Sequence, residues 1–276
     1  IIFRSEEFNC SNPGYDPQGD AALAERHIIE NADGIYHCWG DQASETIRGL
    51  MDVKGPIENI PSSMIDELGP HEYLPKLSAT DGAMHMVFAG DTAEIPGEPE
   101  HIDKWKVLCS QGIHVHYYNP VPTWTTLKRA EPYLKLAKQT PFFHVEKTVD
   151  FEQALVELTQ YDWAYGHFVP VRCALNPGFE HVASNLMLTM IQSELPMMIR
   201  PNARLTFLDW IIDEHAVGIK IETDDLSAAE AKLRAGLTDE MPNNFLRLKK
   251  ALAFKREALT DLVLPSAEQQ PTRSSQ

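Results

Sequence analysis

Residues 141–222 contain four strand-like apolar runs, and amphipathic helical segments separate them. The runs are residues 141–145, 163–169, 197–199 and 217–221. This alternation is typical of a parallel sheet that helices cover on both faces, and it predicts an α/β fold. Such a sheet binds its ligand in the crevice outside the carboxyl ends of the strands, where loops and helix N-termini meet. The loops that follow these runs are therefore the predicted place for a functional site.

The composition excludes some classes of function. The formal net charge is -16, and a chain this acidic lacks the basic face that general nucleic-acid binding needs. Any anionic ligand would have to meet local positive charge. No run of about 18 apolar residues occurs, so no transmembrane segment is predicted. The first residues also lack the basic and apolar regions of a signal peptide.

The cysteines are far apart in the sequence, and no C-x-x-C motif occurs; they are Cys10, Cys38, Cys109 and Cys173. This spacing signals neither a zinc site nor a disulfide framework. It favours reduced thiols and a cytoplasmic protein.

A segment with prolines, paired serines and glycines, residues 61–82, has the composition of a linker. Before it, the pattern of residues 1–60 predicts three strands and two helices, too few to bury both faces of a sheet. The chain does not begin with Met, and it starts inside a strand-like run. Residues 1–60 are therefore expected to be the remnant of an N-terminal domain that begins upstream.

After the linker, a strand at residues 84–89 opens a second and complete series of strands and helices. This series predicts a domain over residues 83–240. An amphipathic helix within residues 241–264 follows, and its length would let it reach back to the first domain. Residues 265–276 are polar and are predicted to be disordered.

Four segments occur in a particular order and spacing. They are ERHIIENADGIYHCWG (residues 25–40), MHMVFAGD (84–91), FFHVEKTVDFEQALVELTQYDWAY (142–165) and SNLMLTMIQSELPMMI (184–199). Together they resemble the GT-B-fold glycosyltransferases, specifically the retaining group that includes glycogen synthase and sucrose synthase. The resemblance implies two Rossmann-like domains, of which the N-terminal acceptor-side one is incomplete here. It also implies transfer of a sugar from a nucleotide diphosphate sugar to an unidentified acceptor.

The chain departs from its relatives in the helix before their G-L-P turn. Relatives usually carry a Lys there for the donor phosphates and a Glu for the ribose, whereas this chain has Leu186 and Thr189, and Glu194 replaces the turn glycine. The departures favour an alternative, a non-catalytic nucleotide-sugar-binding or scaffold protein with a degenerate glycosyltransferase fold. A nucleotide-sugar epimerase on the same fold is a third reading, without specific support in the residues.

Basic residues directly after predicted strands are candidates for binding the donor diphosphate. Lys147, Arg172 and Arg200 each hold such a position, which would place all three at the carboxyl edge of the sheet. The planar guanidinium of Arg suits bidentate contact with phosphate oxygens. Isolated surface arginines are also common, so an ordinary solvated side chain is the alternative for each.

Small and polar residues at the same edge complete the predicted donor site. Gly90 follows the first strand of the second domain and would let backbone N–H groups approach a phosphate, with Asp91 beside it. In the loop before a helix, Glu180, Ser184 and Asn185 could contact a ribose. Alternatively, Gly90 only ends a strand, and Ser184 and Asn185 only cap the helix.

Histidines on strands supply the last candidates. His144 is a predicted donor-site residue, because the resemblance places a polar group near the base or sugar there. His114 and His116 share one strand face, but no third ligand at suitable spacing follows them, so no metal site is predicted. No cofactor is predicted either. No G-x-G-x-x-G or G-x-S-x-G motif occurs, and catalytic residues are not identified from the sequence.

Overall fold

The computed structural model of the chain describes residues 2–5, 18–37, 41–59, 69–89, 100–118, 124–166, 185–199 and 206–252. The tail predicted to be disordered, residues 265–276, lies outside this part of the chain. The second half of the predicted final helix, residues 253–264, also lies outside it.

The N-terminal elements form a small parallel sheet of three strands in the order β1-β2-β3. The elements are β1 (Ile2–Ser5), α1 (Asp20–Asn31), β2 (Gly34–His37), α2 (Asp41–Leu50) and β3 (Ile57–Asn59). Their core is aliphatic: Ile29 of α1, Ile47 of α2 and the strand residues Ile35 and Ile57 are buried together.

The second series is longer and alternates strands with helices. Its elements are α3 (Ser78–Asp81), β4 (His85–Ala89), α4 (Glu100–Ser110), β5 (His114–Tyr118), α5 (Trp124–Gln139), β6 (Phe143–Glu146), α6 (Phe151–Glu157), β7 (Trp163–Gly166), α7 (Asn185–Gln192), β8 (Met197–Ile199), α8 (Thr206–Asp213), β9 (Gly218–Lys220), α9 (Ala229–Gly236) and α10 (Met241–Leu252). Short 3₁₀ helices lie at Leu158–Gln160 and Thr223–Ala228. The helix α3 lies inside residues 61–82, the segment whose composition predicts a linker.

The six strands of this series form one parallel sheet in the order β6-β5-β4-β7-β8-β9. Successive residues of a strand point to opposite faces, and both faces are buried. On β4, Val87 lies in the core that α7 and α8 cover, whereas Met86 and Phe88 lie in the core that α4 and α5 cover. The predicted α/β fold with a doubly covered parallel sheet is thereby confirmed.

The described part of the C-terminal helix packs against the second sheet's own helices. Met241, Phe245 and Leu248 of α10 are buried in the core that also contains Met187 and Ile191 of α7. The predicted contact of this helix with residues 1–60 stays a prediction, as do the predicted domain limits.

Candidate functional site

The strand order creates one particular crevice in the second sheet. If β4 to β9 are numbered 1 to 6, their order across the sheet is 3-2-1-4-5-6. The chain therefore adds strands outward from β4 on one side and then outward from β7 on the other. The helices that follow β4 and β7, α4 and α7, accordingly cover opposite faces of the sheet. Parallel α/β sheets bind their ligands at such a switch point. The carboxyl ends of β4 and β7 define the candidate donor site.

Close packing shapes the floor of this site. The last residue of β7, Gly166, lies beside Ile199 of β8, and a Cβ on Gly166 would come within 2.7 Å of Ile199 Cγ2. Real Cβ atoms do not approach this closely, so a larger residue at position 166 would displace the Ile199 side chain. The glycine thus allows Ile199 to pack over the end of β7.

Most of the predicted donor-binding residues belong to the loops around this crevice. Gly90 and Asp91 follow β4 directly, and Arg200 follows β8 directly. Arg172, Glu180 and Ser184 belong to the connection from β7 to α7. All six lie outside the described residues, so their roles stay predictions.

Asn185 begins α7, and its backbone lies in the first turn of that helix. The N-terminus of a helix favours anionic groups because its first N–H groups lack partners within the helix. Because α7 follows β7, its first turn belongs to the connection that leaves the carboxyl end of β7. The prediction that Asn185 contacts the donor is therefore compatible with its place in the chain.

His144 and Lys147 lie on or directly after the edge strand β6, two strands from β4, and their contact with a donor stays a prediction. Three strand spacings of about 4.8 Å separate β6 from β7, roughly 14 Å in total. Lys147 is exposed. The sequence could not separate Lys147 from Arg172 and Arg200, because all three follow strands and only the strand order distinguishes them.

His144 is part of a hydrogen-bonded group of histidines on the sheet. Its Nε2 lies 2.8 Å from Nδ1 of His114 on the neighbouring strand. Its ring also stacks on His116, with ring centroids 4.5 Å apart. Burial, together with the neighbouring His116 and His114, lowers the pKa of His144 to about 4. The ring is therefore neutral at neutral pH.

The helix that departs from the relatives' pattern is buried. Thr189 of α7 is only 7% exposed, and its neighbours Leu188 and Met190 are buried as well. Thr189 thus does not face an open crevice in this structure. The described residues include only the backbone of Leu186, so the predicted shared face of Leu186 and Thr189 stays a prediction.

Glu194 has a structural role that explains part of the departure. Its φ is 54°, in the left-handed region that favours glycine, as expected for the position of a turn glycine. Its carboxylate lies 2.5 Å from Nζ of Lys249 on α10, and the Lys249 side chain is 4% exposed. The hydroxyl of Tyr73 also interacts with Glu194, and burial together with this carboxylate raises the pKa of Tyr73 to about 12. Glu194 therefore ties the α7–β8 turn to the C-terminal helix.

Two further features lie at the opposite, amino edge of the sheet. A cavity of about 370 Å³ there is lined by Lys76, Asp162 and Glu194, among others. Beside it, Asp81 and His85 approach His114, one of the two strand histidines. Spacing along the chain does not reveal this group, because His85 and His114 become neighbours only through the pairing of β4 with β5.

Comparison with solved structures identifies the fold. The two parallel sheets and the order of elements are those of the GT-B fold. Sucrose-phosphate synthase from Thermosynechococcus elongatus is similar with a TM-score of 0.58 and 15% sequence identity, over 94% of this chain and 64% of that chain. The chain thus spans less than two thirds of the length of that enzyme.

Other similar structures are also glycosyltransferase-type proteins. HepE of Anabaena, solved in complex with UDP and glucose, has a TM-score of 0.57 and 9% identity over 95% of this chain and 69% of that chain. WaaG, a glycosyltransferase involved in lipopolysaccharide biosynthesis, has a TM-score of 0.53 and 12% identity over 89% of this chain and 67% of that chain. No family model and no curated protein matches the sequence. The recognised resemblance to GT-B glycosyltransferases is confirmed at the level of the fold.

Among the described residues, no helix has the length and apolar character to cross a bilayer.

Proposed function

We propose that the protein binds a nucleotide diphosphate sugar and transfers its sugar to an acceptor. The observation that carries the proposal is the switch point between β4 and β7, because the sequence places most of the predicted donor-binding residues in the loops around it. The GT-B fold supports the proposal, and a protein of this fold, HepE, is solved in complex with UDP-glucose. The acceptor and the cytoplasmic location stay open predictions.

The roles of the proposed residues follow from their chemistry. Backbone N–H groups at Gly90 would approach a phosphate, and Arg172 and Arg200 would neutralise the diphosphate. The chain has a net charge of -16, so this local positive charge has to compensate for a repulsive surrounding field. Retaining transfer of this kind would rely on positioning the donor and stabilising the leaving diphosphate rather than on a covalent nucleophile.

The second candidate function is non-catalytic binding of a nucleotide sugar, as in a scaffold protein. Two observations favour it. Thr189 is nearly inaccessible, so a donor would not contact it without local opening. Glu194 is engaged by the buried Lys249, which gives this departure a structural reason rather than a catalytic one.

Calorimetric titration with UDP, ADP and GDP tests donor binding. We expect one of these nucleotides to bind, and Arg172→Ala or Arg200→Ala to weaken its binding by about 1.5–3 kcal/mol, because a charged hydrogen bond is lost. Arg234→Ala is the matched control, since this exposed arginine contacts Glu230 and the carbonyl of Gly82 at the amino side of β4. Equal affinity in the wild type and both site variants would remove the two arginines from the site.

Activity separates the two candidate functions. The assay measures release of the nucleotide diphosphate by the wild-type chain. The substrate is the sugar nucleotide of the preferred base, at a concentration that saturates the protein. Turnover that Arg172→Ala and Arg200→Ala reduce supports the transferase. Binding without any turnover supports the non-catalytic alternative, and no binding of any nucleotide contradicts both.

A further inference from the structure

Three side chains from different elements converge at the amino edge of the second sheet. Asp81 ends α3, and His85 and His114 are the first residues of the paired strands β4 and β5. One ligand atom from each lies within 4.8 Å of the others. Nε2 of His85 is 3.1 Å from Oδ2 of Asp81, and Nε2 of His114 is 3.9 Å from the same oxygen.

Both histidines present Nε2 to this point because their other nitrogens have partners. Nδ1 of His85 is 2.9 Å from Nε2 of His116, and Nδ1 of His116 is 2.8 Å from Oε1 of Glu146. With a metal bound at Nε2 of His85, His116 would donate its Nδ1 proton to the carboxylate and accept the Nδ1 proton of His85. This tautomer leaves the Nε2 lone pair of His85 to the metal.

The third ligand is held in the same way. Nδ1 of His114 lies 2.8 Å from Nε2 of His144, so His114 can donate to His144 and keep its own Nε2 lone pair free. The backbone N–H of Ala83 donates to Oδ1 of Asp81 at 2.9 Å and fixes the orientation of the carboxylate. Partners of this kind, on the nitrogen or oxygen that does not face the metal, are typical of metal ligands in proteins.

We propose that Asp81, His85 and His114 bind a divalent transition metal such as Zn²⁺. Two imidazoles and one carboxylate are the donors that zinc and its neighbours prefer, whereas Ca²⁺ and Mg²⁺ take oxygen ligands. Zinc at about 2.0–2.1 Å from each atom in tetrahedral geometry separates its ligand atoms by roughly 3.3 Å. The His85–Asp81 pair has about this spacing at 3.1 Å, and His114 has to approach Asp81 by about 0.6 Å from 3.9 Å. The rings of His85 and His114 are stacked with centroids 4.6 Å apart, so they have to tilt for both Nε2 atoms to face one ion.

The site is accessible to an ion and has room for a solvent ligand. The Asp81 side chain is 42% exposed, whereas that of His85 is 6% exposed. The metal would therefore enter from the Asp81 side, and water would complete its coordination. Oδ1 of Asp162 accepts a hydrogen bond from Ser78 Oγ at 2.6 Å, and Oδ2 accepts one from the backbone N–H of His85 at 2.8 Å. The α3–β4 corner is thus fixed without the metal.

The place of the site indicates its role. It lies at the amino ends of β4 and β5, opposite the carboxyl edge that forms the candidate donor site. A bound metal would join the end of residues 61–82 to two strands of the second sheet. The metal therefore stabilises the entry of the chain into this sheet and takes no part in donor binding.

Calorimetric titration of chelator-stripped protein with ZnCl₂ tests the proposal. We expect one Zn²⁺ to bind per chain and Asp81→Ala to weaken this binding at least about tenfold. Asp81→Asn, which keeps an oxygen acceptor for Ala83, is expected to weaken it as well. Asp103→Ala is the matched control, because this exposed aspartate on α4 contacts only Lys106 in the described structure and lies away from the histidines.

Thermal unfolding gives a second and independent measurement on the same proteins. Zn²⁺ should raise the melting temperature of the wild type and the Asp103→Ala variant by more than that of either Asp81 variant. Absence of Zn²⁺ binding in the wild type would overturn the proposal. Equal Zn²⁺ affinity in the wild type and both Asp81 variants would overturn it too, since binding would then lie elsewhere. Nucleotide titrations of Zn²⁺-loaded protein, freed of excess metal, should match those of the stripped protein; a difference would overturn the claim that the metal takes no part in donor binding.

Discussion

Replacing Glu194 by glycine changes two opposing contributions to stability. The left-handed φ of 54° costs a non-glycine residue about 1 kcal/mol, and glycine would remove this strain. The same change leaves the ammonium of Lys249 without its carboxylate, at a side chain that is 4% exposed. Breaking a buried pair costs about 3–5 kcal/mol, and the 26% exposure of Glu194 favours the lower end. We therefore expect Glu194→Gly to destabilise the protein by about 2 kcal/mol.

The sign should reverse when Lys249 no longer carries a charge. In a Lys249→Met background no buried ammonium loses its carboxylate partner. Glu194→Gly then only relieves the backbone strain and should stabilise the protein by about 1 kcal/mol. Ala216→Gly is the matched control, because Ala216 has a φ of 52° and no charged side chain. This control should also stabilise, by up to about 1 kcal/mol, in either background.

The assay is urea unfolding followed by circular dichroism and tryptophan fluorescence, with the four proteins of the double-mutant cycle measured together. A coupling free energy of about 3 kcal/mol between positions 194 and 249 is expected. Equal destabilisation by Glu194→Gly in both backgrounds would contradict a contribution of the Glu194–Lys249 ion pair. Stabilisation of the wild type by Glu194→Gly would also refute the reasoning, since the ion pair would then contribute less than the strain.

Three other substitutions and treatments have defined outcomes. Gly166→Ala should lower the free energy of unfolding by about 1–3 kcal/mol, because the new Cβ would lie 2.7 Å from Ile199 Cγ2. In a double-mutant cycle measured by denaturant unfolding, Ile199→Ala should remove most of this effect. Burial raises the pKa of Cys109 to about 12, so iodoacetamide at about pH 8 should alkylate this thiol only in denaturant. Peptide mapping measures the modification. Equal modification of native and denatured protein would contradict the burial of Cys109. Burial also lowers the pKa of His215 below 6.5, so the unfolded chain binds the proton more readily and stability falls as the pH decreases below 6.5. His215→Gln should make that decline shallower, and an unchanged pH dependence of unfolding would exclude this contribution.

The sequence by itself determined the elements of the second sheet. Apolar runs predicted strands at residues 84–89 and 163–169, and the structure has strands at His85–Ala89 and, within the described residues, at Trp163–Gly166. The run at Met197–Ile199 is a strand with the predicted bounds. These patterns are local, because a strand buried on both faces needs apolar side chains at consecutive positions. The helix α3 was missed, since its four residues lie among prolines and serines that indicate a linker.

Only the tertiary structure decided which strands are neighbours. The sequence placed Lys147, Arg172 and Arg200 at one carboxyl edge, but the strand order sets β6 and the residue after it three spacings from β7. The same pairing brings His85 beside His114 and creates a cluster that no spacing along the chain displays. Hydrophobic periodicity records the face that each residue occupies, whereas strand order depends on crossovers and packing between segments far apart in the sequence. The edge that a residue occupies could therefore be predicted, but its neighbours on that edge could not.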